Sequence, residues 1–101
     1  MKPEESELLY EAELNTLVHL PSGSQTMRSL IVQYGIKRLR LGQKVKGLVF
    51  DIKTEKWVNA YKTTAYRLVF VNDLELNITP FLYRQLKKRE KLPVETFNYW
   101  G

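Results

Sequence analysis

The sequence predicts a single α+β domain over residues 1–101. The domain is expected to contain a strongly bent antiparallel sheet or a small OB-like β-barrel of five or six strands, plus one C-terminal helix at about residues 80–90. A chain of 101 residues has the length of one domain. Residues 38–78 are rich in β-branched and aromatic residues divided by short turns, which is typical of consecutive strands. Thr79-Pro80 then combines a good N-cap residue with a proline at the first helical position.

The N-terminal segment is the least defined by its pattern. Residues 1–7 are acidic and are expected to form a disordered leader. Residues 8–20 fit two periods, because alternation gives an apolar strand face while helical spacing gives the stripe Tyr10, Leu14, Leu17 and Val18. Strand-forming residues become more frequent towards residue 20. We therefore favour a strand over residues 9–20, with a helix as the open alternative.

The β-rich body is expected to span residues 8–78. Residues 21–24 read Pro-Ser-Gly-Ser and predict a turn. Residues 25–34 are expected to pair back as a second strand, and Gly35 would form a bulge or bend. Gly42-Gln43 is expected to turn the chain. Further strand-like patterns cover residues 36–41, 45–52, 57–61, 66–71 and 74–78.

The C-terminal part reads as a helix and an aromatic tail. The helical segment covers residues 79–91, and Phe81, Leu82 and Leu86 are expected on its core side. Several cations follow in its last turn, where they complement the helix dipole, and Pro93 ends it. The tail, residues 92–101, carries three aromatic residues and is expected to pack on the body.

Composition excludes several classes of function. The chain has no cysteine and a single histidine, His19, so it offers neither a disulfide framework nor a full set of zinc ligands. No nucleophile motif or phosphate-cradling loop is present, and the carboxylates near the turns read as solvent-facing residues. We expect no enzymatic activity, no metal and no cofactor. The start is not a secretory signal and no apolar run spans a membrane, so a cytoplasmic location is expected.

The charge distribution is uneven. The formal net charge is +5, but residues 1–13 hold one lysine against five glutamates, which leaves +9 on the rest of the chain. Cations and aromatic residues alternate through the predicted sheet, a mixture that single-stranded nucleic-acid binders need for phosphate contact and base stacking. The sequence therefore predicts non-catalytic binding of RNA or single-stranded DNA. The predicted contact residues are Arg38, Arg40, Lys44, Lys46, Lys56, Trp57, Tyr61 and Arg67.

An alternative interpretation stays open. The chain could be a small accessory or assembly subunit that binds another protein, within a larger complex, through a sheet edge and its basic face. Outward lysines are common on two-faced sheets without any ligand, and aromatic residues also occur in protein interfaces. The sequence predicts no oligomeric state. An exposed Trp57 or Tyr61 between converging cations would favour nucleic acid, whereas scattered cations beside an exposed apolar patch would favour protein.

Overall fold

The structure is a computed structural model that describes residues 2–45, 47–59 and 62–100. The class is α+β, as predicted, but the described residues form three helices and eight strands and not the expected single helix and five or six strands. Their bounds are α1 Pro3–Leu14, β1 Leu17–Leu20, β2 Gly23–Thr26, α2 Met27–Tyr34, β3 Ile36–Val45, β4 Leu48–Asp51, β5 Lys56–Asn59, β6 Lys62–Phe70, β7 Glu75–Asn77, α3 Pro80–Glu90 and β8 Val94–Trp100.

A four-stranded mixed sheet with the order β7-β6-β3-β8 is the centre of the fold. β6 is antiparallel to both β3 and β7, whereas β8 is parallel to β3. A parallel strand needs a crossover connection, and α3 provides it between β7 and β8. β7 and β8 remain as edges, so the described strands form an open sheet. The predicted OB-like barrel is therefore not confirmed.

The helices cover one face of this sheet. Leu39 and Leu68 lie opposite each other in β3 and β6 and are fully buried. They belong to a core cluster to which every described helix contributes buried side chains. Those side chains are Tyr10 and Leu14 of α1, Met27 and Leu30 of α2, and Leu82, Tyr83 and Leu86 of α3. The opposite face of the sheet is left to side chains of the strands themselves.

The N-terminal segment differs from the prediction. α1 begins at Pro3, within the expected disordered leader, and continues to Leu14 in place of the favoured strand over residues 9–20. Proline at the first position and acidic residues in the first turn both favour a helix start. Tyr10 and Leu14, four residues apart, bury one side of it. Only β1, at Leu17–Leu20, matches the strand interpretation, where strand propensity is highest.

The second expected strand, residues 25–34, is wrong for most of its length. β2 ends at Thr26 and α2 follows directly. The hydroxyl of Thr26 caps α2 by accepting the amide of Ser29 at 3.1 Å. Gly35, at φ 79°, ends this helix and is not a bulge in a strand.

The elements α3, β3 and β8 also bear on the prediction. α3 begins at Pro80 and ends at Glu90, as predicted, and the Thr79 hydroxyl caps it by accepting the Leu82 amide at 3.1 Å. The turn expected at Gly42-Gln43 is wrong, because β3 continues through both residues to Val45. Residues 94–100 of the aromatic tail form β8, which adds to the sheet beside β3.

A two-stranded hairpin extends beyond the sheet. β4 and β5 pair only with each other among the described strands. The β4–β5 register continues the β3–β6 register without a shift. Val45 pairs with Lys62, and three residues further along Leu48 pairs with Asn59. We call residues 47–59 the arm. The radius of gyration is 17.1 Å, above the roughly 13 Å typical of a compact domain of this length, and an extended arm accounts for part of the difference.

Candidate nucleic-acid interface

The uncovered side of the sheet, here called the open face, carries most of the predicted phosphate contacts. Side chains alternate between the two faces along a strand. Residues next to Leu39 in β3 and next to Leu68 in β6 therefore point away from the core, onto the open face. Directly opposed strand residues also lie on the same side. The open face therefore holds Arg38, Arg40 and Lys44 of β3, Arg67 of β6, Glu75 and Asn77 of β7, and Glu95 and Phe97 of β8.

An ion-pair network joins the three arginines of the open face. Arg40 lies at its centre, with Nη1 2.8 Å from Glu75 and Nε 3.1 Å from Glu95. Arg67 approaches the same oxygen of Glu75 at 3.7 Å. Two carboxylates thus neutralise much of the charge of three guanidinium groups, and the open face is far less positive than its arginines suggest.

Arg38 is held less tightly than Arg40. Its Nε lies 3.3 Å from Glu95, close enough for an ion pair, yet this buried nitrogen makes no hydrogen bond of acceptable geometry. A buried nitrogen donor without a hydrogen bond is costly to the fold. Arg67 also donates from Nε to Oδ1 of Asn77 at 3.2 Å. Arg38 is therefore the least satisfied of the three arginines.

Phe97 lies in the middle of the open face, and the sequence-based prediction missed it. The guanidinium carbon of Arg40 stands 4.1 Å from the ring centroid, and that of Arg67 stands 5.5 Å away. Both are cation–π distances. The ring covers Gly42 of β3, where a Cβ atom would overlap it. The alternation of Glu95 and Phe97 in β8 was the available signal, since it places the ring beside a charged residue and away from the core.

The arm carries Trp57 and Phe50, which oppose each other in β5 and β4. Their rings meet edge to face with centroids 5.6 Å apart. Trp57 is 67% exposed and Phe50 is 49% exposed, so both offer ring surface to a ligand. The other side of the arm is also apolar and exposed, with Val49 opposite Val58.

The structure separates the predicted site residues into groups. Arg38, Arg40, Arg67 and Lys44 share the open face. Lys56 and Trp57 lie on the arm, and Lys56 is opposite Asp51. Lys46 and Tyr61 lie outside the described residues.

A second group of cations lies on the helix side of the molecule. The exposed residues Arg84, Lys87, Lys88 and Lys91 follow helical spacing along α3 and its C-cap, and we call them the helix stripe. None of them makes an ion pair within the described residues. Arg89 differs, because it pairs with Glu7 of α1 at 2.6 Å and stands 3.9 Å from the Tyr10 ring centroid.

Contacts within the helix layer shift the pKa values of several side chains. Hydrogen bonding to Arg89 lowers the pKa of Glu7 from its usual 4.5. Burial raises the pKa of both Tyr10 and Tyr83 above the usual 10.0. These shifts follow from helix packing, and none of these groups lies on the open face.

Other kinds of site receive little support from the described residues. His19 lies on β1, where its Nδ1 is 2.7 Å from the Ser24 hydroxyl in β2. No group of three or more His, Asp or Glu side chains in residues 2–45, 47–59 and 62–100 is arranged to hold a metal ion. No described helix is both long and apolar enough to cross a membrane. A cleft of about 400 Å³ lies between the end of α1, β1, β7 and the start of α3, and its lining is largely apolar.

Searches against protein-family models, curated proteins and solved structures found no match to this chain.

Proposed function

We propose that this chain is a non-catalytic binding module for RNA or single-stranded DNA, which it contacts with the open face and the arm. The observation that carries the proposal is the convergence of Arg38, Arg40, Arg67 and Lys44 on a sheet face that no helix covers. Sheet faces with aromatic and cationic residues are a common platform for single-stranded nucleic acids. The proposal includes the cytoplasmic location expected from the sequence.

Phosphate groups would bind along the β3 row of the open face. Lys44 makes no ion pair within the described residues, and Arg38 has an unsatisfied Nε. Lys44 can therefore bind a phosphate without losing an ion pair, whereas Arg38 must turn from Glu95 to expose its buried Nε. Arg40 and Arg67 would bind phosphate only by loosening their pairs with Glu75 and Glu95. The Arg40–Glu75 pair is partly buried, with side chains 22% and 30% exposed, so loosening it costs more than the roughly 0.2–1 kcal/mol typical of an exposed ion pair.

Bases would stack on the arm. Trp57 presents a largely exposed indole ring, and Phe50 adds a second ring beside it. Stacking of one base on an aromatic side chain contributes about 1–3 kcal/mol. Lys53 and Lys56 lie close to Trp57 in the sequence and would neutralise the phosphate of the stacked nucleotide. The arm would therefore supply affinity that does not depend on base identity.

The test is a salt titration of anisotropy with labelled single-stranded RNA and DNA oligonucleotides. Four phosphate contacts give a log–log slope of up to about −3, at about −0.7 per contact. Arg67→Gln should reduce the magnitude of this slope by one contact. Arg84→Gln makes the same charge change on the helix stripe and should leave the slope unchanged. Absence of binding at about 50 mM salt, where screening is weak, would refute the proposal, as would equal losses in the two variants.

Two further variants separate stacking from charge. Trp57→Ala should weaken binding by roughly 5- to 150-fold, the equivalent of one stacked base, with little change in the salt slope. Glu75→Gln removes a competitor for Arg40 and Arg67 and should strengthen binding. A Glu75→Gln variant that binds more weakly would show that the arginines of the open face do not contact phosphate.

A second candidate function is supported by the apolar residues on both sides of the arm. Base stacking uses only the side of the arm that carries Phe50 and Trp57. On the other side of the arm, Val49 and Val58 are also exposed. A protein partner that encloses the arm would bury both sides, as expected of an accessory or assembly subunit. Val58→Gln, which adds no charge, should then weaken capture of that partner from cell extract without changing oligonucleotide affinity. Equal capture by the variant and the wild-type chain would contradict this candidate.

A further inference from the structure

β8 has the longest unpaired edge of any strand that the structure describes. It pairs with β3 on one side along seven residues, and no described strand pairs with its other side. The opposite edge of the sheet, β7, is only three residues long. Short edges, lysines and prolines are the usual protection against unwanted strand pairing. β8 has none of these.

The only charged residue of β8 is already paired within the chain. Glu95 accepts from Arg40 at 3.1 Å and lies 3.3 Å from Arg38. Its carboxylate is therefore engaged on the open face and does not guard the edge. The remaining residues of β8 are uncharged, so the edge presents an unprotected row of backbone groups.

The backbone hydrogen bonds show which of these groups point outward. The Leu39 amide donates to the Pro93 carbonyl at 3.0 Å, and the parallel register pairs Leu39 with Val94. Alternate residues of a strand direct their amide and carbonyl groups to the same side. Glu95 and Phe97 therefore bond towards β3. The backbone groups of Val94, Thr96 and Asn98 point away from β3, towards the unpaired edge of β8.

We propose that a second copy of this chain pairs with β8 in antiparallel fashion, related by a two-fold axis at Phe97. In this register Thr96 of one copy exchanges hydrogen bonds with Asn98 of the other, and all seven residues of the strand find partners. The two sheets then join into one of eight strands. A two-fold contact uses the same surface on both chains, so β8 supplies both halves of the interface.

The side chains fit this register. Glu95 of each copy is opposed to position 99 of the other in register, and position 99 pairs with Lys44 of its own chain. No like charges are therefore opposed. Phe97 faces its own counterpart at a non-hydrogen-bonded position, where the Cα atoms of opposed residues approach most closely, and its ring leans away from the axis over Gly42, so it does not obstruct the contact. A foreign peptide could also pair with this edge, but it would need its own matching sequence.

The dimer should be weak and dependent on concentration. A seven-residue strand pair buries less than the roughly 1,200–2,000 Å² of a standard interface. Sedimentation equilibrium of the full chain, up to about 0.5 mM, should therefore show a monomer–dimer equilibrium. A monomer at every concentration would overturn the proposal.

Two variants of Thr96 test the edge itself. Thr96→Pro removes one outward amide and leaves the hydrogen bonds to β3 in place, as proline tolerates an edge strand. It should raise the dimer dissociation constant at least tenfold. Thr96→Ala keeps the amide and should dimerise like the wild type. A dimer that persists in Thr96→Pro would place the contact elsewhere, for example on the arm, and would overturn the proposal.

Single cysteines test the register without relying on the proline variant. The chain has no cysteine of its own. Phe97→Cys places two thiols at the two-fold axis, with Cα atoms about 4.5 Å apart, and a disulfide needs about 4.4–6.8 Å. Glu95→Cys is the matched control, because its two copies are offset by four residues, or roughly 14 Å. Under mild oxidation Phe97→Cys should form a covalent dimer and Glu95→Cys should not. Equal cross-linking of the two variants would overturn the proposed register.

Discussion

The close fit between Gly42 and Phe97 makes a quantitative prediction about the open face. An added Cβ at Gly42 would lie 2.8 Å from both Cε atoms of the Phe97 ring and still nearer to Cζ. Gly42→Ala should therefore displace the ring and cost about 1–3 kcal/mol of unfolding free energy, as overpacking usually does. The backbone of Gly42 is ordinary strand, so alanine itself is not strained there. The melting temperature should fall by about 4–12 °C.

A double-mutant cycle measures this clash directly. Phe97→Ala alone should destabilise the chain by about 1–2 kcal/mol, less than a fully buried phenylalanine, because the ring is only half-buried. In that background Gly42→Ala meets no ring and should stabilise by about 0.5–1 kcal/mol, since alanine is better than glycine within a strand. The two substitutions should therefore couple by at least about 1.5 kcal/mol.

Urea denaturation followed by circular dichroism gives the four free energies of the cycle. A parallel cycle of Gly42→Ala with Asn98→Ala is the control, because Asn98 is exposed and alternates to the other side of β8. Those two changes should add within about 0.5 kcal/mol. A Gly42–Phe97 cycle that is also additive within about 0.5 kcal/mol would show that the added methyl group does not clash with the ring.

The remaining predictions concern the core, the helix contact and the arm. Leu30→Ala, at a fully buried position of α2, should cost about 2–5 kcal/mol, whereas Val32→Ala, at an 82% exposed position of the same helix, should change stability by less than about 0.5 kcal/mol in chemical denaturation. Because Arg89 lowers the pKa of Glu7 in the folded chain, this pair should stabilise the fold above the usual carboxylate pKa of 4.5 and cease to do so as pH falls through the lowered value. The stability difference between wild type and Glu7→Gln, measured from pH 7 to pH 2, should accordingly vanish at the acid end; a constant difference would contradict the ion-pair interpretation. Trp57→Ala should leave the melting temperature within about 3 °C of wild type, because Trp57 lies on the exposed arm, and a larger loss would show that the arm packs on the body.

Local signals in the sequence were sufficient for some elements and insufficient for others. α3 could be predicted from Thr79-Pro80 alone, because its cap is local. α1 depends partly on a contact that no local pattern shows. Glu7 and Arg89 are 82 residues apart, and Arg89 also covers the ring of Tyr10. Thr26 was a usable cap signal for α2, but the apolar run that follows it suits a strand equally well.

The candidate site shows the same division between local and long-range information. Alternation in the sequence correctly groups Arg38 with Arg40, since both belong to one strand. Their partners Glu75 and Glu95 belong to strands on opposite sides of β3, so only the sheet order brings these charges together. Glycine gave a misleading signal at position 42, where it makes room for Phe97 and not for a turn. Charge counts along a sequence cannot anticipate neutralisation of this kind.

The arginines of the open face stabilise the fold and are also the proposed ligand contacts, and these two roles compete. Arg40 links β7 to β8 through Glu75 and Glu95, with β3 and β6 between them, and thereby helps hold the order of the sheet. A phosphate that engages Arg40 must weaken at least one of these links. Arginine suits both roles, because it has five N–H donors. Some of them can stay hydrogen-bonded to one carboxylate while others bind a phosphate. Lysine at position 40 would offer a single ammonium group and could not make both contacts in the same geometry. Arg40→Lys should therefore reduce stability and binding together, whereas the neighbouring Lys44, which has no carboxylate partner in the described residues, can contribute to binding alone.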